Sequence, residues 1–325
     1  MKQRLFECHH EAEWQAFTTQ LDALERGEKL TGAADFPAAY RRLCQQLAVA
    51  RSRGYSDHSI AHLQQLALRG HQQLYRHRSP LIGRLLGFVL GGFARLVRLE
   101  WRSVLAASGL FYGSLLGAGL LVYLFPELVY SFVAPEQVTQ MEAMYDPDAR
   151  RLGRFGERGT GDDWLMFGYY VMNNIGIAFQ TFAGGLLFGL GSLFYLLFNG
   201  LTIGAVAGHL SGIGYHQPFW SFVIGHGAFE LTAITLAGAA GLKLGWALIA
   251  PGRNSRMQAL KLAARTAIRL VAGATLLLLV AAFIEAYWSS VTYVGASTKY
   301  LVGALLWLLV GLYLWRSGRS AHAPE

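Results

Sequence analysis

His226 and Glu230 stand four residues apart in the apolar run GHGAFELTAITLAGAAGLKLGW, and Glu285 stands in another, VAAFIEAYW. Residues four apart share one face of a helix. An Asp- or Lys-like charge at the centre of a spanning helix costs about 2.5–3.5 kcal/mol unless it is paired or faces water. Such a trio can do three kinds of chemistry. It can lock helices together as a buried hydrogen-bonded cluster, with Glu protonated or paired to His226. It can line a transport or lipid-handling cavity in which Glu230 and Glu285 exchange protons or contact head groups. It can also hold a metal, offering zinc one nitrogen and two oxygens, as an intramembrane hydrolase would. Against the last, HExxH is absent: HGAFE has its Glu where the second His would stand. No serine sits in a nucleophile context and no GxxxxGK[ST] loop occurs. No metal or cofactor is therefore assigned, and a non-enzymatic role is favoured.

The elements that must place these groups are apolar. Of 325 residues, 53% are hydrophobic and 15% charged, well under the ~25% charge usual in soluble domains. The sequence predicts an all-α, polytopic membrane protein. Its net charge of +8 gathers at the ends of apolar runs, where it sets orientation and meets anionic lipid, so no nucleic-acid partner is expected. Cys8 and Cys44 imply no disulfide framework and fit a reducing compartment. No cleavable signal is evident, so the first span is expected to do the targeting.

Residues 1–79 are polar with apolar positions at helical spacing, broken at Gly27, Gly32 and Pro37 and again from Gly54 to Asp57. They predict three short helices in a cytoplasmic cap. His58 and His62, four apart, have no further ligand beside them to complete a metal site. Residues 80–101 are apolar but carry Arg84, Arg95 and Arg98. This predicts one amphipathic helix lying in the cytoplasmic head-group layer, its arginines on lipid phosphates.

A transmembrane domain follows over 102–316, with a tail at 317–325. The loop 126–165 holds eight acidic residues and four arginines, whereas 251–269 holds Arg253, Arg256, Lys261, Arg265, Arg269 and no acid. The positive-inside rule puts 126–165 outside and 1–101, 251–269 and the C-terminus inside. Crossing parity then requires three spans between 166 and 250, expected near 168–197, 199–214 and 219–249. With 102–125, 268–289 and 299–316 the expected total is six, both termini cytoplasmic. The third span is short and glycine-rich, and Asn199-Gly200 reads as a helix break at its inner end. Gly200 and Gly204 add small-xxx-small spacing for close helix packing. Counted inward from the outer boundary, Asn174, His226, Glu230 and Glu285 fall at similar depth. They predict one shared polar site open outward.

The chain resembles the stage II sporulation protein M family. The resemblance runs through Trp14, Tyr40-Arg41 and Leu47 to Asn174, Asn199-Gly200 with Gly204, His226-Gly227, Glu230-Leu231, Gly241-Leu242 to Pro251, and Ile284-Glu285-Ala286. It covers nearly the whole length and is specific in combination. It implies a polytopic bacterial inner-membrane protein of envelope maintenance, acting as a scaffold for envelope-remodelling proteins, with MoxR-type ATPases among the possible associates. Possible partners are thus membrane lipids, such envelope proteins and a second copy of the chain.

Overall fold

The computed structural model describes residues 2–26, 36–74, 81–148, 162–291 and 293–319. The expected breaks at Gly27 and Gly32, the four loop arginines and the end of the tail lie outside these residues. All regular elements among the described residues are helices. The chain divides into two compact units, Met1–Leu81 and Ile82–Glu325.

The first unit is built of α1 (Gln3–Glu25), α2 (Phe36–Ser52) and α3 (Asp57–Leu74). Pro37 sits in the first turn of α2, where a missing N–H costs nothing. Gly54, at φ +60°, turns the chain between α2 and α3. The apolar stripes of the three helices meet in one core, with Phe6, Trp14, Phe17, Leu21, Leu43 and Leu63 buried. Trp14 Nε1 donates to Gln46 Oε1 at 2.7 Å, and Gln46 Nε2 donates to Glu13 Oε2 at 2.7 Å. Glu7 accepts from Ser59 Oγ and, at 2.8 Å, from Gln3 Nε2. These donors hold the Glu7 carboxyl, and Gln46 holds that of Glu13, below the usual carboxylate range.

The second unit begins with α4 (Leu81–Gly87), a π turn over Phe88–Gly92, and α5 (Phe93–Leu99). In place of one amphipathic helix the chain thus forms two short ones. Phe93 is buried against Gly273, and Arg98 donates through Nη1 to Leu314 O at 2.5 Å and through Nη2 to Ser317 O at 2.6 Å. Arg98 therefore satisfies the open carbonyls at a helix C-terminus rather than standing free for phosphate. Arg84 and Arg95 are exposed.

The bundle itself contains α6 (Trp101–Leu124), α7 (Pro135–Met144), α8 (Asp162–Ala183), α9 (Leu190–Gly212), α10 (His216–Ile249), α11 (Arg256–Ile284, continued by a π turn over Glu285–Ser289) and α12 (Ala296–Arg316). Among the described residues, five helical segments are long and apolar enough to cross a membrane: 101–124, 190–212, 216–249, 256–289 and 296–316. In α10 67% of the apolar window is buried, against 17% in α6 and α12, so α10 is the central post and the other two face outward. The capping box of Ser255 and Gln258 starts α11.

Two sequence expectations fail in the middle of the bundle. The turn between the second and third helical passes is not at 198–199 but at Gly184–Gly189, where Gly189 has φ +85°. Asn199 does not break its helix. Its Nδ2 donates to Tyr195 O at 2.7 Å, one turn back, so the amide is satisfied within α9. Gly200 and Gly204 lie inside the same helix, where α9 runs parallel to α6. A Cβ at Gly200 would meet Ser114 Oγ at 2.1 Å, and one at Gly204 would meet Leu115 O at 2.2 Å. These two glycines make the backbone approach possible.

Candidate functional site: an acid–histidine cavity among the spanning helices

His226 and Glu230 sit on α10 where the i, i+4 rule puts them on one face. His226 Nε2 lies 3.8 Å from Glu230 Oε2. His226 Nδ1 lies 3.1 Å from Ser289 Oγ, on the π turn that ends α11. That turn also carries Glu285, and His226, Glu230 and Glu285 each offer one ligand atom within 4.8 Å of the others. His226 is buried; the two carboxylates are half-buried. A π turn shifts side chains by part of a helical turn and leaves carbonyls open to other donors. Here Lys299 Nζ, on α12, donates to Ser289 O at 2.8 Å.

A cavity of about 350 Å³ reaches the cluster. Its walls are α8, α9 and α10, with Asn173, Asn174, Asn199, Thr202, His226 and Glu230 supplying polar groups and Glu285 joining from α11's end. Gln137, Met141 and Met144 of α7 line it as well. The segment read as a polar loop therefore contains a helix packed on the bundle, where Met144, Tyr145, Leu210, Phe219 and Phe222 share one core. His209 Nε2, 2.7 Å from Glu142 Oε1, fastens α7 to α9. Among the described lining residues none is Lys or Arg. Asn174 is 2% exposed; its Oδ1 accepts from Asn173 Nδ2 at 2.9 Å, and its own Nδ2 has no partner.

The structure thus brings His226, Glu230 and Glu285 together and puts Asn174 on the wall of the same cavity. It moves Asn199 from the inner end of a span onto that wall. Sequence reasoning missed Ser289 and Lys299. Lys299 stands at the edge of an apolar run, where a lysine reads as a boundary residue; yet it is 2% exposed. Nothing local marks Ser289.

Helices long and apolar enough to span a membrane, packed around a carboxylate–imidazole cluster, define a polytopic helical membrane protein. Residues 85–290 match the stage II sporulation protein M family, and the chain belongs to it. Residues 4–76 match a domain family of unknown function, DUF8413. An uncharacterized protein of Methanocaldococcus jannaschii is 31% identical over 77 residues, which is 23% of this chain and 42% of that protein. The chain thus spans under half the length of that relative. No solved structure matches.

Proposed function

We propose that this protein binds a small cationic solute within the membrane and provides its pathway through the cavity among α8, α9 and α10. The observation that carries the reading is that the cavity reaches His226, Glu230 and Glu285. A tightly packed lock would leave no such space. The cavity's volume lies within the roughly 300–1,000 Å³ of ligand pockets. Two carboxylates, aromatic and thioether groups and no Lys or Arg among the described lining residues favour a cation over an anion. Thr202→Cys on the cavity wall, in a Cys8→Ser/Cys44→Ser background, tests it. A cationic methanethiosulfonate reagent should modify the cysteine about tenfold faster than an anionic one of equal size. No reaction with either, or preference for the anion, overturns the reading.

The accompanying topology is six spans, with α8 as the second, both termini in the cytoplasm of a bacterial inner membrane and 126–165 outside. It rests on the charge asymmetry between that loop and 251–269. In intact cells an impermeant thiol reagent should label Asp148→Cys and spare Ser255→Cys; the reverse pattern refutes it. In this orientation Arg84 and Arg95 meet cytoplasmic lipid head groups.

A second reading, an envelope scaffold that recruits remodelling proteins, MoxR-type ATPases or another copy of itself, draws support from the separate helical core of α1–α3. Deletion of residues 1–76 should then abolish partner association while leaving Thr202→Cys reactivity intact. Association that survives the deletion removes that support.

A further inference from the structure

The cluster has a geometry that water and protons alone leave open. At 3.8 Å, His226 Nε2 and Glu230 Oε2 are too far apart for a hydrogen bond. Any three atoms within 4.8 Å of one another share a centre no more than about 2.8 Å from each. Zinc–nitrogen and zinc–oxygen bonds are about 2.0–2.2 Å, so an inward shift of at most about 0.6–0.8 Å per side chain would close the shell.

We propose that His226 Nε2 and the carboxylates of Glu230 and Glu285 coordinate a divalent transition-metal ion of the Zn²⁺ class inside the membrane. The proposal rests on the cationic-solute reading and names its solute. Within the direct ligand set, two carboxylates carry −2, which a dication neutralises and Na⁺ or K⁺ leaves at −1; Lys299, the buried cation behind Ser289, stays outside that set with its Nζ on the Ser289 carbonyl. Ligand type selects the metal class, because imidazole suits zinc and its first-row neighbours while Ca²⁺ and Mg²⁺ prefer all-oxygen shells.

Two observations outside the ligand set point the same way. Ser289 Oγ engages Nδ1 at 3.1 Å and so fixes the ring with Nε2 toward the carboxylates. Metal-bound histidines are oriented in this manner through their other nitrogen. Lys299 in turn fixes Ser289 through its carbonyl. Independently, Asn174, whose buried Nδ2 has no partner, is one of the residues lining the same cavity. A three-ligand zinc keeps a fourth position for water or an incoming oxygen, and an oxygen in the cavity would offer that amide an acceptor.

Equilibrium dialysis of the full chain in nanodiscs against Zn²⁺, with elemental analysis, tests this. The exposed His58–His62 pair is a competing surface site, so His58→Ala/His62→Ala is the background. One Zn²⁺ per chain should remain there. Glu230→Gln and Glu285→Gln should each weaken it about 100-fold, Ser289→Ala about tenfold, and Glu230→Asp should retain it. Co²⁺ in the same site should give visible bands that Glu285→Gln abolishes. Absence of bound Zn²⁺ in the background, or unchanged affinity in Glu285→Gln, overturns the proposal. Should Glu230→Gln fail to fold, Glu285→Gln and Glu230→Asp decide the same question. Failure here with a Thr202→Cys still reactive to the cationic reagent removes the metal and leaves the pathway. Zn²⁺ binding with an unreactive Thr202→Cys does the opposite.

Discussion

α8 and α10 run parallel, and they meet differently at their two ends. Near the C-terminus of α8 the contact is backbone on backbone. A Cβ at Gly185 would lie 2.1 Å from Gly241 O, and Ser192 Oγ, from the start of α9, donates to Thr181 O at 2.6 Å in the same knot. Eleven residues earlier on each chain segment, about 16 Å up the axis at 1.5 Å per residue, Asn174 and Glu230 face the cavity instead. The pair is closed at the glycines and borders the cavity at the polar groups. α9 shows the same division across its width, with Gly200 and Gly204 pressed on α6 while Asn199 and Thr202 line the cavity. The small residues and the polar residues are therefore one device. Where packing brings backbones together no side chain can intervene, and away from that contact the helices border the space that the polar groups line.

The largest expected effect comes from opening the closed end. Gly241→Leu would drive a side chain into Ser192 Oγ and the carbonyls of Thr181 and Phe182. Overpacking a core typically costs about 1–3 kcal/mol, and more where backbone is the obstacle. We expect loss of the monodisperse peak in size-exclusion chromatography. Gly109→Ala, on α6 with nothing within 4 Å of the added carbon, should keep the peak and gain up to about 1 kcal/mol from helix propensity. Equal behaviour of the two variants would break this contrast.

The smallest effect lies outside the bundle and marks the contrast by charge. Glu7 and Glu13 have carboxyls held below the ordinary value, Glu7 by Ser59 and Gln3 and Glu13 by Gln46. A depressed folded pKa contributes stability that is present above the unfolded value of about 4.3 and lost as pH falls through the folded one. Both groups are largely solvated, so the loss is modest. Hydrogen exchange on the full chain should show α1–α3 amides losing protection below about pH 4, while the Gly185–Gly241 contact, made backbone on backbone, holds its own. Acid-insensitive protection in α1–α3 would remove this distinction.

The sequence by itself determined the membrane class, the helical content and the i, i+4 pairing of His226 with Glu230. Each follows from composition or from the 3.6-residue repeat, which are local properties. It also flagged Glu285 and Asn174, because a polar group in hydrocarbon demands a partner whatever the fold. It could not decide where the apolar run 166–250 turns. Glycine serves both as turn residue and as packing surface, and only the contacts of Gly185 with Gly241 and of Gly204 with Leu115 assign each to its use. Asn199-Gly200 carries the composition of a break, but Asn199 bonds within its own helix. Ser289, Lys299 and the helix α7 entered the site's surroundings through tertiary structure alone. Their partners lie on other helices, and no periodicity along one segment records what a distant segment brings to it.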